Sequence, residues 1–321
     1  MKPPPGEFEL IARLCAGLER GRRTLIGPGD DCALLARSRG AQLVTIDSMV
    51  EQVHFKLEWT TPEALGARAL TVNLSDIAAM GGRPVFCVIN LAIRPGLGTR
   101  FFDRLYAGLG AAAAAAGAEV VGGNITRADA LAITIALWGD AGVRVLRRDT
   151  AQPDDEIYVT GTVGDAAAGL SILNGQRRAR GAARAFLIAR FCKPVARLEA
   201  GQRLTRIRPA AAAIDISDGL WQDLGHILER SGVGAAIDAK ALPLSSAYRA
   251  VMGDAVELAL GGGEDYELLF CLRPGAKEAA LARRLGVAVR RIGVITRGKR
   301  ATLAGYNGKF PRGFDQLRAT R

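Results

Sequence analysis

The sequence predicts an α/β fold of the mixed α+β kind, divided into two domains. A chain of 321 residues exceeds the size at which a single hydrophobic core is usual. Short apolar runs typical of strands alternate with longer helical patterns along its whole length. The polar segment 147–155 interrupts this alternation and has the composition of a linker. We therefore expect domains over 1–149 and 150–321.

The composition is that of a globular protein. Hydrophobic residues make up 49% and charged residues 23% of the chain, and no apolar run approaches the ~20 residues needed to cross a bilayer. Five scattered cysteines indicate neither a disulfide framework nor a zinc site. The net charge of +11 would suit a polyanion, but aromatic residues are only 6% and do not alternate with basic ones, so nucleic-acid binding is not favoured. Because no apolar signal segment follows Met1, a cytoplasmic location is expected.

The first domain opens with a helix. Its core-facing stripe is predicted to consist of Phe8, Ile11, Ala12 and Cys15. The run 42–47 predicts a buried strand that ends at Asp47. Thr61 and Pro62 have the chemistry of an N-cap and a first helical position, and they begin a helix that ends at Met80.

Further strands and one helix complete the first domain. An apolar strand is expected over 85–93 and a helix over 101–116. The strand 119–121 is expected to end in a flexible polar turn at 122–124, and another strand follows over 131–138.

The second domain repeats the alternation of strands and helices. Strands are expected at 156–160, 234–237, 268–272 and 289–295, and helices at 165–173, 182–191, after Pro194, near Ser246 and at 276–285. A strand-to-helix junction lies at 213–220, where Ser217 and Asp218 are predicted to cap the helix. The backbone N–H groups at that helix start would suit a phosphate.

Carboxylates recur along the chain, first in a turn before a strand and then mostly after strand-like runs. They are Asp31 in the turn 27–31, Asp47, Asp76, Asp215, Asp218 and the pair Glu264-Asp265. Many carboxylates with two histidines, His54 and His226, and no paired cysteines favour a hard cation such as Mg²⁺ over zinc. The usual kinase and Walker-type phosphate motifs do not occur. A cluster of carboxylates with Mg²⁺ and an arginine is nevertheless sufficient for phosphoryl transfer.

A series of short motifs carries a resemblance to a known family. They are Gly6-Glu7-Phe8, Gly29-Asp30-Asp31, Thr45-Ile46-Asp47, Val53-His54-Phe55, 72–81, 121–124, 158–161, 215–220, 262–267 and Gly313-Phe314-Asp315. In order and spacing they resemble the thiamine-monophosphate kinases, a family of the aminoimidazole-ribonucleotide-synthetase-like superfamily. The resemblance covers nearly the full chain.

The resemblance implies a fold, a reaction and a set of site residues. The N-terminal domain would bind ATP and Mg²⁺ and form a homodimer through its β-sheet, and the C-terminal domain would complete the active site. The reaction would be direct in-line transfer of the ATP γ-phosphoryl group to thiamine monophosphate, with several Mg²⁺ ions.

The implied metal ligands are Asp31, Thr45, Asp47, Asp76, Asn124, Asp215 and Asp218. The implied ATP contacts are Tyr106, Gly123, Asn124, Arg148 and Ser217. The implied substrate contacts are His54, Glu264 and Phe314, and the implied catalytic residues are Asp47, Asp76, Arg148 and Asp215.

The chemistry of these side chains agrees with the implied roles. Glu264 suits the cationic thiamine, Phe314 could stack on a planar ring, and Arg148 could neutralise phosphate charge. The chain also departs from the family pattern. Ile46 replaces a common threonine, Asn124 stands where many members have aspartate, and Gln316-Leu317 replaces a His-Phe ending.

Two alternatives to the kinase remain open. The first is another ATP-using enzyme of the superfamily, such as an aminoimidazole-ribonucleotide synthetase or a selenophosphate synthetase; the lack of a reactive cysteine motif near the N-terminus disfavours the latter. The second is a nucleotide-binding protein that has lost catalysis, which the altered residues Ile46 and Gln316-Leu317 would explain.

Overall fold

The structure of the protein is a computed structural model. It describes residues 7–18, 22–27, 32–36, 38, 40–142, 144–208, 212–310 and 313–314. The expected metal ligand Asp31 and the altered tail residues Gln316 and Leu317 lie outside the described residues. In the described part of the chain, no helix combines the length and the apolar character needed to cross a bilayer.

The chain forms two compact units. The first consists of the chain up to Ile77 together with Arg83–Ala141, and the second consists of Ala78–Gly82 together with the chain from Gly142 onward.

The first unit has a four-stranded sheet. Its helices are α1 (Glu7–Ala16), α2 (Pro62–Ala79, whose last two residues belong to the second unit) and α3 (Thr99–Ala116). Its strands are β1 (Thr24–Ile26), β2 (Leu34–Leu35), β3 (Gln42–Val50), β4 (Arg83–Ile93), β5 (Glu119–Arg127) and β6 (Ala132–Asp140). The sheet has the order β3-β6-β4-β5, in which β4 and β5 are parallel and the other pairs are antiparallel, while β1 and β2 pair separately.

Strand β6 shows how the two faces of this sheet differ. Ile133, Ile135 and Leu137 are buried, whereas the intervening residues are half-buried. Ile77 of α2 packs beside Gly139 on the buried face. We call the face that bears Ile133, Ile135 and Leu137 the helix face and the opposite face the outer face.

The second unit is built on a six-stranded sheet. Its helices are α4 (Asp165–Leu173), α5 (Gly181–Cys192), α6 (Leu198–Leu204), α7 (Leu220–Ser231), α8 (Ser246–Met252), α9 (Glu257–Gly261) and α10 (Glu278–Leu285). Its strands are β7 (Glu156–Thr160), β8 (Ala212–Asp215), β9 (Gly234–Asp238), β10 (Leu268–Leu272), β11 (Val289–Thr296) and β12 (Ala301–Ala304). The order is β12-β9-β11-β7-β10-β8, and the pair β12–β9 is parallel.

Helices cover both faces of the second sheet. Every residue of β10 is buried, and alternate residues enter two different cores. Leu269 and Cys271 pack with residues of α4, α5 and α7, whereas Phe270 packs with residues of α6 and α10. This burial on both sides explains why the strand reads as a continuous apolar run.

Strand β3 differs from the prediction of a buried strand ending at Asp47. It continues to Val50, so Asp47 lies inside the strand and is exposed. Among the described residues, β3 is an edge strand of this sheet and pairs with β6 alone. Its apolar residues Val44 and Ile46 are 60% and 64% exposed, so they do not form a buried core strand.

Strand β5 also continues through the predicted turn at 122–124. A Cβ atom at Gly123 would lie 2.1 Å from the carbonyl oxygen of Ile89 on β4. The glycine therefore allows a close approach of two strands, and it does not mark a turn.

Helix α1 is present where predicted, but among its described side chains the buried ones are not those of the predicted stripe. Leu10 and Leu14, one turn apart, are buried, whereas Ala12 is exposed and Cys15 is half-buried. Two leucines bury more apolar area than Ala12 could, which favours this orientation of the helix.

Helices α2 and α3 approach each other at two glycines. A Cβ atom at Gly66 would lie 2.0 Å from the carbonyl oxygen of Leu105, and one at Gly108 would lie 1.9 Å from that of Glu63. Neither position has room for a methyl group, because the nearest atoms are backbone carbonyl oxygens, which cannot rotate away as a side chain could.

We expect Gly108→Ala to lower the free energy of unfolding by about 1–3 kcal/mol, because α2 and α3 must move apart. The matched control on the same helix is Gly110→Ala, whose new Cβ would have ordinary contacts at 3.8 Å. That control should be neutral or stabilising by up to about 1 kcal/mol because alanine favours the helix. Urea titration of the wild type and both variants checks this, and equal stability of the two variants would contradict the close packing.

Candidate functional site

In the first unit, the structure brings Thr45 and Asp76 together. The Thr45 hydroxyl on β3 donates a hydrogen bond to the Asp76 carboxylate on α2. Thr45 and Asp76 are half-buried. Asp47 lies two residues further along β3 and therefore on the same, helix face of the sheet. One hydroxyl and two carboxylates of the expected metal ligands thus share one face.

Asn124 lies on the other face of the same sheet. A row of register partners crosses the four strands from Ser48 through Thr134 and Asn90 to Asn124. The Ser48 and Thr134 hydroxyls are 2.7 Å apart, and the Asn124 amide donates to the Asn90 side-chain oxygen at 3.0 Å. Because Ser48 alternates with Asp47 along β3, this row is on the outer face. The structure does not bring the Asn124 side chain to Thr45 and Asp47 within one copy of the sheet.

His54 lies in a tight turn at the end of β3. The Val50 N–H donates to His54 Nδ1 at 3.0 Å, so this nitrogen is the acceptor and the ring carries its proton on Nε2. Gln52 has a positive φ of 69°, and its N–H donates to the Phe55 carbonyl. The buried Glu51 carboxylate accepts two hydrogen bonds from Arg94, which hold its pKa below the ordinary value.

Tyr106, a further expected ATP contact in this unit, lies on α3. It is half-buried, and burial raises the pKa of its hydroxyl. Its hydroxyl therefore stays protonated at neutral pH and remains able to donate a hydrogen bond.

In the second unit, the turn Ser217-Asp218-Gly219 follows β8. Helix α7 begins at Leu220, with Gly219 as its N-cap. The prediction that Ser217 and Asp218 cap the helix is therefore wrong. The backbone N–H groups of all three turn residues donate to one oxygen of Asp223, each at 3.1 Å. The groups that we expected to face a phosphate already have an internal carboxylate partner.

A second segment pairs with this turn. The Glu264 N–H donates to the Ser217 carbonyl and the Tyr266 N–H to the Ile216 carbonyl, both at 2.8 Å. A Cβ atom at Gly263 would lie 2.1 Å from the Ser217 carbonyl oxygen, so only glycine permits this approach. Glu264 and Tyr266 have positive φ values of 70° and 51°, a conformation that non-glycine residues seldom adopt.

Phe314 is brought to the same turn. Its N–H donates to the Asp218 carbonyl at 3.0 Å. The Gln222 side-chain amide donates to the Phe314 carbonyl at 3.2 Å and to the Asp218 carboxylate at 3.1 Å. Ser217, Asp218, Glu264 and Phe314, which are separated widely in sequence, therefore form one hydrogen-bonded group in the second unit.

The groups around Asp218 shift the pKa of its carboxyl in opposite directions. Burial raises the pKa of Asp218, and the Glu264 carboxylate adds to this effect. Hydrogen bonding by Gln222 and the electrostatic interactions with His226 and Arg148 lower it. Arg148 is exposed, and its carbonyl accepts a hydrogen bond from Ser231 on α7.

Three further carboxylates surround the turn or its partner segment. Asp215 is the buried last residue of β8 and is in register with Leu268 of β10. Burial, with the Asp215 and Asp218 carboxylates, raises the pKa of Asp223 to about 7, while its backbone donors act in the opposite direction. Asp265 is buried and accepts hydrogen bonds from the N–H groups of Gly164 at 2.6 Å and Ala166 at 3.3 Å.

Glu267 anchors the end of the same segment. It is fully buried, and its carboxylate accepts hydrogen bonds from the Arg197 and Arg190 guanidiniums and the Thr160 hydroxyl. A buried carboxylate with two arginines is costly to disrupt, because removal of one partner leaves an uncompensated charge. The segment that carries Glu264 is therefore held firmly on its C-terminal side.

Sequence reasoning missed Asp223, Asp265 as a buried acceptor, Glu267 and Gln222. A signal for Asp223 was present. Helix α7 buries Leu220, Leu224 and Ile227, and Asp223 falls on the same stripe. A carboxylate on the apolar stripe of a helix indicates an internal partner.

Side-chain donors, mostly oxygens, could hold a cation in each unit. Thr45, Asp47 and Asp76 offer hydroxyl and carboxylate oxygens in the first unit. In the second, ligand atoms of Asp218, Asp223 and His226 lie within 4.8 Å of one another among the described residues. Carboxylate-rich donor sets suit Mg²⁺.

Comparison with known proteins identifies two family domains. Residues 29–141 match the N-terminal domain and residues 152–305 the C-terminal domain of AIR synthase related proteins. The thiamine-monophosphate kinase of Salmonella typhimurium is 42% identical over 305 residues, which is 91% of this chain and 90% of that protein.

Solved structures of thiamine-monophosphate kinases are also similar to this chain over most of its length. The crystal structure of thiamine-monophosphate kinase from Stenotrophomonas maltophilia K279a is similar with a TM-score of 0.84 and 38% identity, covering 94% of this chain and 98% of that one. The structure of AaThiL complexed with AMPPCP and TMP is similar with a TM-score of 0.76 and 34% identity, covering 96% of each chain.

The buried Asp265 gives a testable dependence of stability on pH. Burial raises the pKa of Asp265 to about 8. Between the ordinary aspartate pKa near ~4 and this value, the folded state binds the proton more tightly than the unfolded state. The contribution of Asp265 to the free energy of unfolding therefore falls as the pH rises through that window, by at most about 1.4 kcal/mol per pH unit.

We expect the stability difference between the wild type and Asp265→Asn to decrease steadily from pH 5 to about 8, because asparagine does not titrate. Urea titrations across this range measure it. Asp254→Asn, at a carboxylate whose side chain is 91% exposed, is the matched control and should leave the pH profile unchanged. A constant difference for Asp265→Asn would show that Asp265 is ionised throughout.

Proposed function

The chain belongs to the thiamine-monophosphate kinase family, and we propose that it transfers the γ-phosphoryl group of ATP to thiamine monophosphate, forming thiamine diphosphate and ADP. The observation that carries this proposal is the 42% identity to a named thiamine-monophosphate kinase over 91% of the chain. The complex of AaThiL with AMPPCP and TMP, whose protein is 34% identical to this chain, supports the same pair of substrates.

The reaction needs positioning and charge neutralisation more than proton transfer. An oxygen of the thiamine monophosphate phosphate attacks the γ-phosphorus of ATP, and the bond from that phosphorus to the β–γ bridging oxygen breaks. The electron pair leaves with ADP. Because the attacking phosphate is already ionised, no general base is required.

We assign Mg²⁺ to the carboxylates. In the first unit Thr45, Asp47 and Asp76 share one face, and their hydroxyl and carboxylate oxygens are ligands that Mg²⁺ prefers. When bound, Mg²⁺ would neutralise phosphate charge and align the β- and γ-phosphates. The further proposed ligands are Asp31, Asn124, Asp215 and Asp218.

The substrate contacts are also proposals. In the second unit Glu264 offers a negative charge to the cationic thiamine, and the Phe314 ring could stack on it. Ser217 and Arg148 are assigned to ATP, and Arg148 would balance charge on the transferred group. In the first unit Tyr106, Gly123 and Asn124 are assigned to ATP and His54 to thiamine monophosphate.

We further propose that the protein is a cytoplasmic homodimer that assembles through the outer face of the first sheet. Val44 and Ile46 on that face are 60% and 64% exposed. Apolar side chains on an edge strand favour coverage by another surface. We propose the division into a nucleotide-binding and dimerising domain, 1–149, and a C-terminal domain, 150–321.

The purified protein should convert ATP and thiamine monophosphate to ADP and thiamine diphosphate in equal amounts when Mg²⁺ is present. Chromatographic separation of both products measures this, and omission of Mg²⁺ or of thiamine monophosphate is the control. Formation of neither product while AMPPCP still binds would favour a nucleotide-binding protein that has lost catalysis. Turnover of ATP with another acceptor only would favour a different enzyme of the superfamily.

Asp47→Asn and Asp76→Asn should each lower kcat by at least about 100-fold, because a neutral amide compensates the cation less. The free energy of unfolding should change little, since the carboxylates are exposed or half-buried. Asp129→Asn, at an exposed aspartate in the same unit, is the matched control. Turnover near that of the wild type in both variants would remove the metal assignment.

A further inference from the structure

Asp223 makes an unusual set of hydrogen bonds. One of its carboxylate oxygens accepts the N–H groups of three consecutive residues, Ser217, Asp218 and Gly219. The three distances are each 3.1 Å, and Asp223 is 2% exposed. Three successive N–H groups that converge on one point form a backbone nest, a shape that binds an anion. Here the group at that point is a side-chain carboxyl of the protein itself.

The nest has a backbone conformation that requires such a partner. Gly219 has φ 130° and ψ 141°, in a region available essentially to glycine. A Cβ atom there would also lie 2.9 Å from the Gly261 backbone. Without Asp223, the three N–H groups would compete for other acceptors, and the turn would lose the interaction that selects this conformation.

The opposite side of the turn is also fixed. The Ser217 carbonyl accepts the Glu264 N–H, and the Asp218 carbonyl accepts the Phe314 N–H. Hydrogen bonds therefore hold the backbone of the turn on both sides, from Asp223 to its N–H groups and from two other segments to its carbonyls. They set the backbone positions from which the Ser217 and Asp218 side chains extend.

We propose that Asp223 is a positioning residue for phosphoryl transfer, which holds the turn 217–219 so that Ser217 and Asp218 can engage the metal–nucleotide complex. This inference rests on the proposed function of Ser217 and Asp218. Asp223 acts through the acceptor capacity of its oxygen and does not itself contact the substrates. The phosphates are then bound by groups other than the three N–H groups of the nest.

The acceptor role can be separated from a role of the negative charge. Asp223→Ala removes both, whereas Asp223→Asn keeps an acceptor oxygen and removes the charge. Asp155→Ala is the matched control, because Asp155 is also buried, at 5% exposure, and accepts the Gln152 N–H at 2.8 Å in the loop before β7. Each variant is measured for Mg²⁺–AMPPCP affinity by calorimetry, for kcat and its Mg²⁺ dependence, and for urea stability.

We expect Asp223→Ala to weaken Mg²⁺–AMPPCP binding by at least about 10-fold, to raise the half-saturating Mg²⁺ concentration similarly, and to lower kcat by about 100-fold. Asp223→Asn should recover most of each loss, to within about 10-fold of the wild-type kcat. Asp155→Ala should lose stability but keep Mg²⁺–AMPPCP affinity and kcat within about 2-fold.

Two results would overturn the proposal. Asp223→Ala with affinity and kcat near those of the wild type would show that the turn does not need this residue. Asp223→Asn as impaired as Asp223→Ala would assign the role to the charge, as for a metal ligand. If Asp223→Ala does not fold, Asp223→Glu decides: a displaced carboxylate should lose nucleotide affinity under the proposal, and retained affinity would refute it.

The experiments distinguish a failure of the kinase assignment from a failure of the positioning role of Asp223. If the wild type binds Mg²⁺–AMPPCP but forms no thiamine diphosphate, the kinase assignment fails while the calorimetric comparison of the Asp223 variants still applies. If the wild type forms thiamine diphosphate and Asp223→Ala does so equally well, the positioning role alone fails.

Discussion

Carboxylates buried in the second unit must obtain their hydrogen-bond donors from the protein, and the arrangement of the site segments depends on this constraint. Asp223 takes its donors from the turn 217–219, and Asp265 takes its donors from the start of α4. Glu267 takes its donors from two arginines and Thr160. A buried donor or acceptor that loses its partner costs about 1–3 kcal/mol, so each of these segments has little freedom to move. Glu264 keeps its positive φ because the side-chain hydrogen bonds of Asp265 and Glu267 fix the residues that follow it.

The first unit fixes its side chains by a different means, the register of a sheet. Alternation along β3 assigns Thr45 and Asp47 to the helix face, where Thr45 contacts Asp76. The same register assigns Asn124 to the outer face in a row with Ser48. Motif matching treats these residues as one ligand set, whereas the sheet separates them by face. A metal ion bound by the Asn124 side chain would therefore lie on the outer face of the sheet.

Patterns that are local in sequence predicted most of the fold. The helices starting at Pro62 and Asp165 and the strand 268–272 were predicted closely, because their signals act within a few residues. The first helix has a side-chain cap at Thr61, and the other two elements have apolar runs. The turn expected at 122–124 was wrong because a glycine needed for a close approach to Ile89 has the same local signature as a turn. The cap predicted for α7 was wrong because Gly219 stands at the N-cap, and Asp223, a residue inside the helix, binds the N–H groups of the turn 217–219. Such contacts depend on tertiary structure, which local propensity does not contain.

The departure at Ile46 shows how geometry changes the interpretation of a motif. In sequence, Ile46 lies between Thr45 and Asp47, and replacement of a threonine there suggests a lost metal ligand. In the structure, alternation turns Ile46 to the outer face, where it is 64% exposed, opposite to Thr45 and Asp47. An isoleucine at this position removes no oxygen from the face that bears Thr45, Asp47 and Asp76. Its effect falls on the outer face, where it adds apolar area beside Val44 and favours coverage by a second surface.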